Sequence, residues 1–332
     1  MTAVPFCSIV VLNYQGEKFL QQTISSVLDI NYPREKYEII VVDNASTDQS
    51  RSIIDQLATD NLPAGRQGHQ LTTIYLSKNL GFSAGNNVGV RRSKGEYVIL
   101  LNNDCTVDKN WLKELVTVTE KDKNIFAVNP KVYLHKTRKI QNAGIRIFSN
   151  GYAQDRGAVP RNNIQEYEED KGQYDKEEEI DAACAVATLY RKAILEKIGL
   201  FDERFFLYYE DVEISERAKK YGYKIMYSPK AIAYHKHASS SGQWSPFFIY
   251  QSERGRLLHL FLHFPFPLFL KEYMMFSMKA KVRFLVRLII NQQTMPINWQ
   301  YIRVKYYFFF HLPILFYSKY LQSSLRRQGS SL

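Results

Sequence analysis

Cysteine is scarce in this sequence. Cys7, Cys105 and Cys184 are odd in number and widely spaced, and no CxxC pair occurs. That argues against a disulfide framework or a structural zinc site and suits a reducing compartment. No basic stretch precedes the first apolar run in MTAVPFCSIVVLNY, so it reads as a first strand and not as a signal peptide, which places the chain in the cytosol. No uncharged apolar run reaches the roughly 20 residues that a bilayer span needs. No GxGxxG turn follows the first strand, which disfavours a dinucleotide fold. Acidic residues nearly vanish after Trp244: there Glu253 and Glu272 face 12 Lys/Arg, so most of the net charge of +11 sits in that last segment. Such asymmetry marks a tail that meets an anionic surface.

What remains is ordinary for a folded protein, with 45% hydrophobic and 23% charged residues. The first part, to about residue 130, alternates strand and helix patterns, as in a parallel α/β sheet. Ser8–Asn13, Glu38–Asn44, Leu71–Leu76 and Tyr97–Asn102 read as strands, and IFAVNP (Ile125–Pro130) as a further one. Phe19–Leu28, Ser83–Ser93 and Trp111–Glu120 carry helical spacing. Ser46 and Gln49 stand at capping-box spacing, which predicts a helix opening there. The Gly- and Pro-rich stretch from Asn61 to Gln70 reads as a loop. The acidic run Glu166–Glu179 reads as a mobile loop, and Leu189–Ile198 as a helix.

Polar residues collect where these strands end. Asp43 closes the second strand in VVDNASTD, at the sheet edge where ligands of α/β folds bind. Its carboxylate suits the imino proton of a uracil or thymine ring, although an Asx turn would also explain it. Asn102-Asn103-Asp104 closes YVILL on the same edge, and Asp104 offers the charged oxygen that a hard divalent cation takes beside phosphate. NLGFSAGNNVG (Asn79–Gly89) would let backbone amides approach phosphate or sugar oxygens, or else make a tightly packed helix. Glu210 and Asp211 follow the aromatic run FFLYY and open a helix that ends at Gly222. First-turn acids often serve only the helix dipole, but two adjacent acids behind aromatics fit a base poised in a cleft. His235 ends a strand after Pro229.

In this order, SIVVLNYQG, VVDNASTD, NLGFSAGNNVG, LLNND and FDERFFLYYEDVEISERAKKYGYKIMYSPKAIAYHKH resemble the family 2 glycosyltransferases of the GT-A fold, and within them a rhamnosyltransferase-like bacterial subgroup. The resemblance spans roughly Val4 to Ser241. It implies a Rossmann-like, mainly parallel sheet flanked by helices, and an inverting displacement on a nucleotide-sugar donor. Asn13 and Asp43 would meet the base and ribose, with Asn44, Asn79, Gly85, Asn86, Asn87, Asn102 and Asn103 along the donor. Asp104 and His235 would hold Mn²⁺ or Mg²⁺. Asp211 would be the general base, supported by Glu210. Asn102 replaces the first Asp of the family's DxD element. The QxxRW motif of processive members is also broken, since Gly255 stands after Gln251 and Arg254 in place of Trp, which implies one sugar per encounter.

The expected layout is a GT-A catalytic domain over about 1–243, its nucleotide-sugar half to about 130 and its acceptor half beyond, then a helical basic and aromatic extension over 244–332. In the extension, Lys279, Lys281, Arg283 and Arg287 flank Phe284, Leu285, Leu288 and Ile289, a pattern suited to a helix lying in a membrane interface. The order of preference is an anionic inner-leaflet surface, then a homodimer contact, then nucleic acid, which the Phe and aliphatic content disfavours. The expectation is a peripheral, cytoplasmic enzyme of surface-polysaccharide assembly acting on a glycan, lipid-linked acceptor with UDP- or dTDP-sugar. The alternatives are a non-catalytic nucleotide-sugar binder or membrane adaptor, and a sugar-phosphate nucleotidyltransferase. The latter would want a GxGTR-type turn where NYQGEKF stands.

Overall fold

A computed structural model of the chain describes residues 4–59, 71–161, 164–236, 245–290 and 295–329. They fall into two compact units, one within 1–148 and 152–240, the other within 149–151 and 241–332. In the first unit the elements run β1 (Cys7–Asn13), α1 (Leu20–Leu28), β2 (Tyr37–Asp43), α2 (Ser50–Thr59), β3 (Leu71–Tyr75), α3 (Gly81–Arg92), β4 (Tyr97–Asn102) and β5 (Cys105–Val107). They continue through α4 (Trp111–Thr119), β6 (Ile125–Leu134), β7 (Lys139–Asn142), β8 (Ile145–Ile147), β9 (Ala153–Asp155), β10 (Ala158–Arg161), β11 (Ile164–Glu169) and β12 (Glu178–Glu179). Last come β13 (Ala187–Arg191), α5 (Lys192–Lys197), α6 (Glu210–Lys220) and β14 (Lys224–His235).

The aliphatic strands pair as their composition requires. β1 lies between β2 and β4 with β3 outside β2, all parallel. Ile9, Val11, Ile39 and Val41 face one core, while Val10, Ile40 and Val42 face another, so both sheet faces are covered. Beyond β4 the sheet turns antiparallel through β13 and β6, and β14 then runs parallel along β6. The result is a mixed α/β sheet with a parallel centre, flanked by helices. Register does the positioning. Asn13 pairs with Asp43, and Leu12 with Asn102, so the polar strand ends meet at one edge. β5 pairs antiparallel with β14, which sets Cys105 opposite His235.

Three local expectations change. Helix α2 opens at Ser50, not at Ser46. The Ser46 hydroxyl instead accepts from Asn13 Nδ2 and from the Gln15 N–H, while Asp48 Oδ1 accepts the Ser50 N–H. The acidic run is not a loop throughout, because β11 pairs with β10 and β7, and β12 with β14. Its anchor is buried Lys131, whose ammonium lies 3.2 Å from Asp170 and 2.6 Å from Asp175. Leu189–Ile198 begins as strand β13 and only then becomes α5, since Leu189 and Tyr190 pair into the sheet beside β4 and β6. The loop read at Asn61–Gln70 lies outside the described residues.

The second unit is helical: α7 (Pro246–His263), α8 (Phe266–Ile290) and α9 (Met295–Gly329). Ser245 caps α7, its hydroxyl accepting the Phe248 N–H at 3.1 Å, with Pro246 in the first turn. Leu257, Phe261, Phe269, Phe276, Val304 and Phe308 are buried. Arg256, itself buried, meets Glu253 at 3.1 Å and Glu272 at 3.5 Å, so one internal cation engages both acids of this segment. Among the described residues, no helix is long and apolar enough to cross a membrane.

Candidate active site

At the edge where β1, β2 and β4 end, three side chains form one network. Asn13 Nδ2 donates to Asp43 Oδ1 at 3.0 Å, and Asn103 Nδ2 donates to Asn13 Oδ1 at 2.9 Å. Asp43 is fully buried and also accepts from the Ser46 N–H and from Arg51 Nε, so the Asx-type turn weighed for it is present as well. Asn102, at the end of β4 on the other side of β1, is half-buried.

The other asparagines hold the frame. Asn44 Nδ2 donates to Asn79 Oδ1 and to the Gly81 carbonyl, and its Oδ1 accepts the Leu80 N–H. Asn86 Nδ2 reaches back to the Phe82 carbonyl. Asn87 ties α3 to the chain ahead of the acid pair, donating to the Phe201 carbonyl at 2.8 Å and accepting the Phe201 N–H at 3.1 Å. Gly85 and Gly89 serve helix–strand packing: a Cβ on Gly85 would come within 2.6 Å of Leu12, and one on Gly89 within 2.3 Å of Val10.

Asp104 and His235 lie side by side. Asp104 Oδ1 lies 2.9 Å from His235 Nε2, and both side chains are nearly buried. His235 Nδ1 meets Gln141 Oε1 at 2.8 Å. That contact holds the ring with Nε2 toward Asp104. Cys105 completes a group whose ligand atoms lie within 4.8 Å of one another. Burial, and next the charge of Asp104, push its thiol well above the ordinary range, so it stays protonated at neutral pH. The donor set that fits a divalent cation is therefore one carboxylate and one imidazole, with further positions left for diphosphate oxygens.

Glu210 and Asp211 open α6 behind two successive residues in the left-handed region, Tyr208 at φ 69° and Tyr209 at φ 71°. Strain of that kind persists only where the surroundings hold it. The surroundings are visible. Phe82 N–H and Ser83 Oγ donate to the carbonyls of Phe206 and Phe205. Glu213, the third acid of that turn, is tied to Arg217 at 2.7 Å, and Arg217 also donates to the carbonyls of Ile198 and Leu200. Asp211 Oδ1 accepts the Val212 N–H at 2.8 Å, and its Oδ2 the Ala185 N–H at 3.4 Å. Glu210 Oε2 is buried and, among the described residues, has no hydrogen-bond partner. Burial raises the affinity of both acids for a proton, and the charge of Asp211 raises Glu210 further. A carboxyl held this way is a general-base candidate, not a surface dipole partner.

Sequence reasoning missed Asp155, Asn142, Asn129 and Gln141. Asp155 ends β9, and burial pushes its carboxyl up to about 7, with Asp211 adding to the rise and Asn142 opposing it. Nothing in KIQNAG or GYAQD announces Gln141, Asn142 or Asp155, because short strands carry little periodicity, and Asn129 sits within the longer strand β6.

Comparison with known proteins gives the class. Residues 8–199 match the Glycosyl transferase family 2 model, and the chain belongs to that family. It is 24% identical to the poly-beta-1,6-N-acetyl-D-glucosamine synthase of Staphylococcus epidermidis over 68% of this chain and 49% of the synthase, so it spans about half the length of that relative. It is 25% identical to the low-salt glycan biosynthesis hexosyltransferase Agl10 of Haloferax volcanii, over 76% of this chain and 74% of Agl10. Among solved structures, GalNAc-T7 with UDP, GalNAc and Mn²⁺ superposes with a TM-score of 0.64 at 16% identity, over 84% of this chain and 51% of that one. Residues 1-349 of S. aureus TarS in complex with UDP-GlcNAc give 0.54 at 19% identity, over 90% of this chain and 79% of that one. These likenesses establish the GT-A fold.

Proposed function

We propose that the protein is an inverting, non-processive glycosyltransferase that moves a hexosyl or deoxyhexosyl group from a UDP- or dTDP-sugar to a glycan, lipid-linked acceptor. The observation that carries this is the meeting of the Asp104–His235 pair with the polar strand ends of β1, β2 and β4 at one sheet edge. The relatives support it by their activities, a poly-N-acetylglucosamine synthase and a glycan hexosyltransferase, and the TarS complex favours a UDP donor. On this reading Asn102 and Asn103 face the donor, and the buried Asn13–Asp43 pair holds the strand ends that present them. Asn44, Asn79, Gly85, Asn86 and Asn87 shape the wall behind it.

Asp211 takes the proton of the acceptor hydroxyl, and that oxygen then bonds to the anomeric carbon as the bond to the diphosphate breaks. A carboxyl with raised proton affinity is a stronger base for that task. Buried Glu210 helps keep that affinity high. When bound, Mn²⁺ or Mg²⁺ on Asp104 and His235 would offset the charge that gathers on the leaving diphosphate.

The extension is assigned to an anionic bilayer surface at the inner face of the membrane. Phe266, Leu270, Met274, Met278, Val282 and Leu285 recur every three or four residues along α8 and are all exposed, with exposed Lys279, Lys281 and Arg283 among them. That is the composition of a helix resting in a headgroup layer. Thermal-shift titration against UDP-, dTDP- and GDP-sugars, with Mn²⁺ and with chelator, tests the donor reading. A metal-dependent rise with one nucleotide class supports it, and no rise with any class contradicts it.

A further inference from the structure

A buried polar ladder leads from the acid pair to a carboxylate that the reading above leaves unused. The Ala185 N–H meets Asp211, and the preceding residue, Cys184, donates its N–H to Asn129 Oδ1 at 2.7 Å. Asn129 Nδ2 donates to Asn142 Oδ1 at 2.9 Å, and Asn142 Nδ2 to Asp155 Oδ1 at 2.8 Å. Asn129 and Asn142 have no exposed surface. Interior amides are costly unless fully satisfied, and here the chain of donors ends by fixing one carboxylate.

The strand that carries Asp155 is docked on the acid-pair segment. The Ala153 N–H donates to the Tyr209 hydroxyl at 3.2 Å, one residue before Glu210. Ile145 packs with Ala182 and Val212, and Ile147, Ala153 and Tyr209 pack against them, so this cluster holds residues on either side of Asp211 along the chain. Successive residues of a strand alternate in direction, so Asp155 shares the face by which Ala153 meets that cluster. The charges of Asp211 and His235 both act on its carboxyl. Asp155 is half-buried, not sealed, and so keeps access to a bound molecule. A fold that needed only a partner for Asn142 could use a neutral amide. The like charge of Asp211 beside Asp155 is relieved either by a proton or by a ligand hydroxyl that donates to it.

We propose that Asp155 forms an acceptor subsite with Asp211, reading two hydroxyls on neighbouring carbons of the acceptor sugar. Asp211 takes the proton of the attacking hydroxyl, and Asp155 accepts a hydrogen bond from the adjacent one and undergoes no covalent change. Asn142 is its positioning residue. This rests on the glycosyltransferase reading of the site.

The test uses the full chain with Mn²⁺ and whichever of UDP-GlcNAc, UDP-glucose, dTDP-rhamnose or GDP-mannose it turns over. The acceptor probes are methyl glycosides of glucose, galactose, mannose, rhamnose and N-acetylglucosamine, each with its deoxy analogues. Asp155→Asn should raise the KM of the productive glycoside by roughly ten- to hundredfold, the worth of a hydrogen bond to a charged group. The donor KM should move by no more than about twofold, since Asp155 meets only the acceptor. Asn142→Leu should give the same split more weakly. One deoxy analogue should lose as much with the wild type and nothing further with Asp155→Asn, as residues and groups in direct contact do. An unchanged acceptor KM in Asp155→Asn overturns the subsite and leaves the donor site standing. If neither variant folds, equal KM values for the parent and every deoxy glycoside on the wild type overturn it. A wild type that turns over no donor overturns the glycosyltransferase reading and the subsite with it.

Discussion

Asp104 Oδ1 lies 2.9 Å from Nε2 of His235, although one residue follows β4 and the other closes β14. The register of β5 against β14 creates the pairing, and Gln141 fixes the ring from behind. A cation entering there would find a carboxylate and an oriented imidazole already facing each other. His235→Ala should therefore weaken Mn²⁺-dependent nucleotide binding by at least roughly 100-fold, and Gln141→Leu by about tenfold, since outer partners of metal ligands are worth 10–100-fold. Calorimetric titration of UDP with and without Mn²⁺ checks both. The metal-free background should be the same in wild type and variants.

Gly89 offers a test of the fold away from the chemistry. A Cβ there would come within 2.3 Å of Val10 Cγ1 and 3.3 Å of Val42 Cγ2, both inside the sheet. Gly89→Ala should cost about 1–3 kcal/mol by overpacking. Gly222, at φ 83°, has nothing within 4 Å of the same position among the described residues. Gly222→Ala should cost only the left-handed backbone penalty, about 1–2 kcal/mol. Urea unfolding of the two variants separates crowding from backbone strain.

The acid cluster sets the pH dependence of stability. Asp155 is raised from 3.8 to about 7, by burial first and the charge of Asp211 after it. An acid whose pKa is higher in the folded state holds its proton there after the unfolded chain has released it. Its stabilising contribution is complete below 3.8 and is lost as pH rises through about 7. Asp211 and Glu210 shift in the same direction. The metal-free wild type should melt progressively lower from pH 4 to pH 8, a span of about four units that covers this window. Asp155→Asn should flatten the slope, as melting curves across that range would show.

The exposed stripe of α8 gives a membrane prediction. Replacing Met274 and Met278 together by Asp should abolish sedimentation with anionic phosphatidylserine vesicles and leave nucleotide binding intact. Replacing Lys279, Lys281 and Arg283 by Gln should weaken binding by about 1 kcal/mol per charge. Undiminished sedimentation of the double Asp variant contradicts the docking surface. A change of oligomeric state in that variant would assign the stripe to a second copy instead.

The parallel centre of the fold was legible because its strands are continuous aliphatic runs ending in polar residues, and both features survive without tertiary context. The same holds for the acid pair and His235, which sit at the ends of well-marked elements. Capping at Ser46 was misread because its hydroxyl is claimed by Asn13 and Gln15, partners from another strand end. The acidic run looked incapable of order because its anchor, Lys131, lies on β6. Asp155 was missed for a related reason. It lies on a three-residue strand whose place is fixed by Tyr209 and Asn142 and not by any local pattern.

The central claim is that Asp211 deprotonates the acceptor in a transfer from a nucleotide sugar. The direct measurement is steady-state transfer by the wild type and Asp211→Asn, with Mn²⁺ and a saturating donor. The account expects kcat to fall by about 10²–10⁴, the usual worth of a general base, with donor affinity held to within about a factor of two. An Asp211→Asn enzyme that transfers at the wild-type rate would contradict it.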